Sequence, residues 1–293
     1  MKILVTGASG FLGSALSHRL KDEGHQLALL VRSASKLDRL GDLRDAVDIG
    51  RCDSDREVVA YVNRTQPDAV IHTACSYGRD GESILQISDS NTRFGVLILQ
   101  ALSTSGRPVT FINTGTALAS QVSTYTLTKH QFAELGRRYV MESSAKLRFV
   151  NVLLQHMFGP RDSASKFTSS LIHACRRNEP ELKLTAGEQH RDFIYIDDVV
   201  DAYTILLSQQ AELARTDEIE VGSGVAPTIR EFAETVHRLT RSSTRLLFGA
   251  LPYRADEPMF CRADISRMKA LGWRPRFDLE TGIKRILELE FPQ

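Results

Sequence analysis

The chain has 293 residues, 42% hydrophobic and 25% charged, a globular balance that argues against disorder and allows one large domain or two unequal lobes. Its 37 basic and 36 acidic side chains leave a net charge of +1, so bulk charge points to no nucleic acid and no anionic membrane as partner. The longest apolar runs, such as Leu27 to Val31, are far too short to span a bilayer. The first expected strand begins at Lys2, which leaves no room for a targeting segment before it. Cys52, Cys75, Cys175 and Cys261 form no C-x-x-C pair and read as reduced thiols of a cytoplasmic protein. The histidines fall in no metal-ligand spacing, so no metal is expected.

Short apolar runs alternate with amphipathic stretches through the first half. Strands are expected at Lys2 to Thr6, Gln26 to Val31, Ala46 to Gly50, Ala69 to Thr73, Val109 to Asn113 and Leu147 to Leu153. Helices fit between them at Phe11 to Glu23, Ser54 to Thr65, Ser83 to Ser103 and Thr124 to Glu142. This β–α alternation predicts an α/β fold, a doubly wound parallel sheet of Rossmann type with helices on both faces. Past Asn151 the pattern loosens. Phe158-Gly159-Pro160 is a turn, and Lys166 to Arg177 a helix. A strand from Arg191 to Ile196 leads into a helix at Asp197 to Ser208, with Asp197 as N-cap. Glu218 to Val221, Thr228 to Arg241, Arg245 to Phe248, Asp264 to Leu271 and Leu279 to Leu289 complete the chain. The expected division is a dinucleotide-binding domain at 1–155 with a return segment near 192–218, and a smaller substrate-binding lobe at 156–191 and 219–293.

Gly7, Gly10 and Gly13 lie between an apolar strand and an amphipathic helix, the setting of a dinucleotide cradle. The spacing is G-x-x-G-x-x-G, wider at its start than the usual form. Residues without a Cβ let backbone N–H groups approach a pyrophosphate, and the helix N-terminus adds its dipole. Ser9, Phe11 and Leu12 belong to this turn, and Thr73 and Ala74 end the fourth strand beside it. After the second strand, Arg32 stands where an acidic residue would grip a ribose 2′-hydroxyl. A guanidinium suits a 2′-phosphate, with Ser33 and Lys36 adding contacts, so NADP is favoured over NAD. The other reading of Arg32 is a solvated charge at a strand end. Asp53 is either an acceptor for the adenine amino group or a cap for the helix that follows.

Tyr125 and Lys129 are spaced i, i+4, one turn apart on one helix face. A free phenol titrates near ~10, and an adjacent ammonium favours the phenolate. Lys129 can also hold the ribose hydroxyls of the cofactor. Thr114 ends the fifth strand eleven residues before Tyr125, and Thr116 follows. A hydroxyl here can donate to a substrate oxygen beside the phenol, and Thr114 is preferred over Thr116. Phenol, lysine and cradle together predict oxidoreductase chemistry on a carbonyl or alcohol.

These residues resemble the extended short-chain dehydrogenase/reductase family, the epimerase/dehydratase group acting on nucleotide sugars. The likeness runs along nearly the whole chain. It is carried by Thr6 to Gly13, Tyr125 and Lys129, Phe158-Gly159-Pro160, Arg191 to Asp198, and Ala263-Asp264-Ile265 with Leu271-Gly272-Trp273-Arg274-Pro275. The resemblance implies Thr114 as the family's Ser/Thr, Tyr125 as acid–base, Lys129 as its modulator and Arg191 on the substrate diphosphate. Arg191 could instead pair with Asp192. Gln155-His156 stands where many members carry an asparagine, which makes His156 a substrate contact. The family's 4,6-dehydratases have an Asp-Glu pair after the threonine, and Gly115 and Thr116 replace it here. The expected reaction is NADPH-dependent reduction of the C4 ketone of a nucleotide-linked 4-keto-6-deoxy sugar, as in the family's 4-ketoreductase branch acting on 3,6-dideoxyhexoses. An NAD-retaining 4-epimerase is the alternative. The retained Tyr–Lys pair argues against a non-catalytic NADP-binding sensor. The family also implies a homodimer.

Overall fold

The protein is described by a computed structural model covering residues 1–254 and 256–292. The chain forms two compact units, Met1–Leu153 with Ala202–Ile219 and Leu154–Asp201 with Glu220–Gln293.

In the first unit, β1 (Lys2–Thr6), β2 (Gln26–Val31), β3 (Asp48–Arg51), β4 (Ala69–His72), β5 (Val109–Thr114) and β6 (Leu147–Leu154) pair in parallel in the order 3-2-1-4-5-6. The strand Thr216–Val221 adds a seventh member beside β6. Ile3, Leu4, Val5, Ala69, Val70 and Ile71 are wholly buried, as strands covered on both faces require. On one face Phe111, Phe132 and Phe149 stack in the core. Phe132 lies on the helix Thr124–Glu142, so this aromatic packing seats that helix on β5 and β6. Truncating it to alanine removes a large buried ring, a change that typically costs about 3–5 kcal/mol.

Two elements of the first unit differ from the sequence reading. The third strand starts at Asp48 rather than Ala46, because Leu43–Ala46 winds into a helical turn. The expected helix from Ser83 to Ser103 is Ile84–Ser88 and Phe94–Ser103 joined by a π turn at Asp89–Arg93. Buried Asn91 in that turn donates to Ser76 O at 2.9 Å and to Thr128 Oγ1 at 3.0 Å. These long-range bonds leave no local periodicity to read.

The second unit packs the helices Phe167–Arg176, Ile229–Thr240 and Leu279–Glu290 around Phe158, Phe193 and Phe232. The expected strand Arg191 to Ile196 is split in two. His190–Arg191 pairs with Phe260–Cys261 and Phe193–Tyr195 with His156–Phe158, so Asp192 sits at a change of partner. The return into the first unit starts at Ala202 rather than near 192, since residues 192–201 are bonded into the second unit. Asp192 accepts the backbone N–H groups of Ser223, Gly224 and Ala263 at 2.7, 2.9 and 3.1 Å. Asp198 accepts those of Arg276 and Phe277 at 2.9 and 3.0 Å, and burial raises its carboxyl above the usual range.

Asp198→Ala leaves two part-buried amides without their acceptor, a loss of about 1–3 kcal/mol. Thermal melting should show a clear drop in Tm, only partly restored in Asp198→Asn, which keeps one of the two acceptor oxygens. An unshifted alanine variant would remove this carboxylate from the stability of the second unit.

Candidate active site

The sheet order reverses on either side of β1, and in such sheets ligands sit outside the carboxyl ends of the strands at that reversal. The ends of β1, β4 and β5 carry the predicted residues. Past Thr6 the chain turns at Gly7 with φ +67°, and Gly10 N–H donates to Gly7 O at 2.9 Å. A Cβ on Gly7 would stand 2.6 Å from Ala74 N and 2.7 Å from Thr73 Oγ1, and one on Gly13 2.2 Å from Gly7 O. Thr73 Oγ1 donates to Thr6 O at 2.7 Å, fastening the end of β4 to that of β1. Gly10 is the N-cap of the helix Phe11–Asp22, and no side chain caps that end. With no side-chain cap there, the helix dipole favours an anion at this end, which fits a pyrophosphate. Ser9 and Phe11 are half-buried at the turn, whereas Leu12 is buried and offers the cradle only its backbone.

Arg32 follows β2 directly and is exposed. The adjoining loop is fixed from β3, where Asp53 accepts Ser33 N–H at 2.9 Å and Arg51 donates to Ser33 O at 2.9 Å. The Ser33 hydrogen bonds hold Asp53 below the usual carboxylate range. Asp53 is not the cap of the next helix. Ser54 is, in a capping box with Glu57. The carboxylate therefore has a third role that sequence reasoning left out, tying down the Arg32 loop.

Tyr125 and Lys129 lie in the first turns of Thr124–Glu142, a helix started by Ser123 in a capping box with Thr126. Tyr125 is half-buried, and Lys129 is only 2% exposed. Thr116 stands close enough to the Tyr125 phenol to ease its deprotonation, and its hydroxyl accepts Leu118 N–H at 3.2 Å. Thr114, preferred in the sequence reading, instead bonds the buried hydroxyl of Tyr203 at 2.6 Å. Thr114 is the last residue on β5, and Gly115 N–H still bonds Val152 O. The chain leaves the sheet only after that, and this turn brings Thr116 to the phenol. Counted from Thr116, the next two residues are Ala117 and Leu118, again without a carboxylate.

Burial dominates the electrostatics. It pushes the Tyr125 phenol up, with nearby Cys75 adding to the rise and Thr116 and Arg79 opposing it. It pushes the Lys129 ammonium down, with Cys75 opposing. Burial thus outweighs the lowering expected from the Lys129 spacing: the phenol stands above its ordinary value and the ammonium below. His72 is buried and held well below its ordinary value by burial and by Lys129, and its Nδ1 lies 2.8 Å from Thr6 Oγ1. Cys75, Tyr77, Asn91 and Tyr203 were missed by sequence reasoning. The first two stand in the loop just after Thr73-Ala74, a position that could have flagged them. Asn91 and Tyr203 reach the site only through the fold.

The other predicted residues belong to the second unit. Arg191 is 4% exposed, donates to His190 O at 2.7 Å and pairs with Glu257. The alternative pairing with Asp192 does not occur, because that carboxylate is taken by backbone amides. The His156 ring packs on Phe193, and its buried Nδ1 meets no hydrogen-bond partner among the described residues. Burial, then Arg191 and Lys166, depress its pKa to about 4. Among the described residues no group of three or more His, Cys, Asp or Glu could hold a metal ion, and no helix is long and apolar enough to cross a membrane.

Comparison with known proteins agrees with this arrangement. The NAD dependent epimerase/dehydratase family model matches residues 3–222. A CDP-abequose synthase of Salmonella typhimurium is 31% identical over 98% of this chain and 97% of its own length. A dTDP-L-rhamnose 4-epimerase of Burkholderia thailandensis is 25% identical over 97% and 93%. A UDP-glucose 4-epimerase of Thermotoga maritima, solved with UDP-glucose, superposes with a TM-score of 0.86 at 20% identity over 98% of both chains. That of Thermus thermophilus, in complex with NAD, gives 0.82 at 20% identity over 98% of this chain and 99% of the other. On the match across residues 3–222 and the full-length likeness to the Salmonella enzyme, this chain belongs to the NAD dependent epimerase/dehydratase family, enzymes of the oxidoreductase type.

Proposed function

We propose that this enzyme uses NADPH to reduce the C4 ketone of a nucleotide-linked 4-keto-6-deoxy sugar. The observation that carries the reading is the Tyr125 phenol, beside Thr116 and one helical turn from buried Lys129. The name and full-length similarity of the CDP-abequose synthases support the substrate class. Bound in the Gly7–Gly13 cradle, the nicotinamide cofactor supplies the hydride. Tyr125 then gives its proton to the developing alkoxide, and Thr116 donates a hydrogen bond to the same oxygen. A phenol held protonated by burial suits this direction, because the residue acts as an acid. Lys129 orients the ribose and stabilises the phenolate left behind. Thr114 supports the site through Tyr203 rather than by touching substrate.

Arg32 selects the 2′-phosphate, with Ser33 and Lys36 beside it, while Asp53 holds their loop. Thr73 and Ala74 close the cradle from β4. In the second unit Arg191 anchors the diphosphate, sharing its guanidinium with Glu257, and neutral His156 contacts the sugar nucleotide. The absence of a carboxylate pair after either threonine argues against water elimination. We further propose a cytoplasmic homodimer formed over the exposed side of the Tyr125 helix, where Leu127, Leu135 and Met141 are 45%, 48% and 55% exposed.

Tyr125→Phe should lower kcat by about 10²–10⁴-fold with NADPH affinity near wild type, read by absorbance loss of the cofactor with 4-keto sugar nucleotides. Retained turnover would end the assignment. Arg32→Ala should raise the KM for NADPH by about 10–100-fold and leave that for NADH unchanged. Tightly copurifying NAD, with no net consumption of NADPH, would instead select the NAD-retaining 4-epimerase. His156 supplies a separate check in the folding equilibrium. Its folded pKa, about 4, lies below the unfolded value, so the unfolded chain binds the extra proton and stability falls as pH drops from about 6.5 toward 4. The loss is on the order of 3 kcal/mol. Denaturant melts of His156→Gln should show a smaller loss across that window than wild type, and parallel curves would contradict the buried neutral imidazole.

A further inference from the structure

The loop between β4 and the π turn holds two side chains that the reaction as proposed does not use. The Tyr77 ring lies 4.8 Å from the Tyr125 ring, centroid to centroid, at an interplanar angle of 33°. The Arg79 guanidinium lies over the Tyr77 ring, 5.4 Å from its centroid. Tyr77 thus contacts both a guanidinium and the proposed catalytic ring. Tyr77 is 43% exposed and Arg79 is exposed, so the pair faces solvent rather than core.

The loop is held from beneath. Ser76 N–H donates to Asn91 Oδ1 at 2.7 Å, and Asn91 Nδ2 returns a bond to Ser76 O and another to Thr128 Oγ1 on the Tyr125 helix. Ser76 Oγ donates to Glu82 Oε1 at 2.7 Å, closing the loop on itself. Tyr77 is therefore delivered to Tyr125 by a fixed backbone, one residue from a doubly bonded anchor. A cation over an aromatic face is attracted by the ring quadrupole, and tilted ring pairs at this spacing are favourable.

We propose that Tyr77 and Arg79 are positioning residues for Tyr125: the Tyr77 ring fixes the plane of the phenol, and the Arg79 guanidinium carries positive charge to its exposed side. The proposal rests on the reading of Tyr125 as the acid–base group. The titratable and charged groups around the phenol are Cys75 and Arg79 in this loop, Lys129 on its own helix, and Tyr203 from the helix Ile196–Ser208, with the neutral Thr116 hydroxyl after β5. Cys75 and Tyr203 raise the phenol, as burial does. Arg79 is the cation that opposes them. Sequence spacing points to Lys129 as the cation beside the phenol, and the folded chain adds a loop arginine.

The test reads the phenol without substrate or cofactor. Replacing Tyr125 with 3,5-difluorotyrosine brings its titration into an accessible pH range, and fluorine NMR follows it. Arg79→Gln should move that titration upward by about half to one pH unit, and Arg79→Lys should restore most of it. Tyr77→Leu should move it as well and broaden the fluorine signal as the ring loses its stacking partner, while Tyr77→Phe should match wild type. Circular dichroism on each variant verifies the fold, and Arg79→Glu, shifting further in the same direction, confirms a charge effect. An unmoved titration in both Arg79→Gln and Tyr77→Leu overturns the proposal. The functional reading fails separately, if Tyr125→Phe keeps full turnover on CDP- and dTDP-linked 4-keto-6-deoxy sugars.

Discussion

The site depends on a contact that only a hydrogen atom permits. Where β1 ends, the Gly7 backbone lies so near the end of β4 that a Cβ would stand 2.6 Å from Ala74 N. That approach, locked by Thr73 Oγ1 on Thr6 O, fixes the glycine turn and the loop after β4 as one rigid piece. The turn leads into a helix end without a side-chain cap, which suits a pyrophosphate. The same loop carries Cys75 and Tyr77 to the Tyr125 helix, and Asn91 fastens it there. The glycine turn and Tyr125, the proposed cofactor cradle and acid–base residue, are thus coupled through a few ångströms of backbone.

Within this frame the protein pays for burial at both ionisable centres. The phenol is raised and the ammonium lowered, because each loses hydration before it gains a partner. A site tuned in this way keeps Tyr125 protonated, the state that the proposed ketone reduction needs. The groups that offset burial are modest and specific, a threonine hydroxyl and a loop guanidinium. His72, neutral and boxed in by Phe94, Phe111 and Phe132, adds no competing charge beneath Lys129.

The second unit relies on a different device. Asp192 and Asp198 are wholly buried, yet each spends its carboxylate on backbone N–H groups. Such bonds substitute for regular secondary structure in a region of two- and three-residue strands. They also leave Arg191 to pair with Glu257 instead of its sequence neighbour.

Much of the fold was legible from local pattern. Apolar runs gave the strands of the sheet to within two residues, and the i, i+4 spacing of Tyr125 and Lys129 placed them on one helix face. The glycine turn was readable because its conformation is set by adjacent residues. Three features were not: the break of the Ser83 to Ser103 helix at Asn91, the partner of Thr114, and the added positive charge at Tyr125. Each is decided by residues far apart in the chain, Asn91 by Ser76 and Thr128, Thr114 by Tyr203, Tyr125 by Arg79. Periodicity and spacing encode the direction of a side chain on its own element, so the sequence alone determined the sheet, the cradle and the Tyr–Lys pair. Which hydroxyl reaches the phenol, and what burial does to its proton, depends on the turn after β5 and on packing from other elements, and only the tertiary structure decided it.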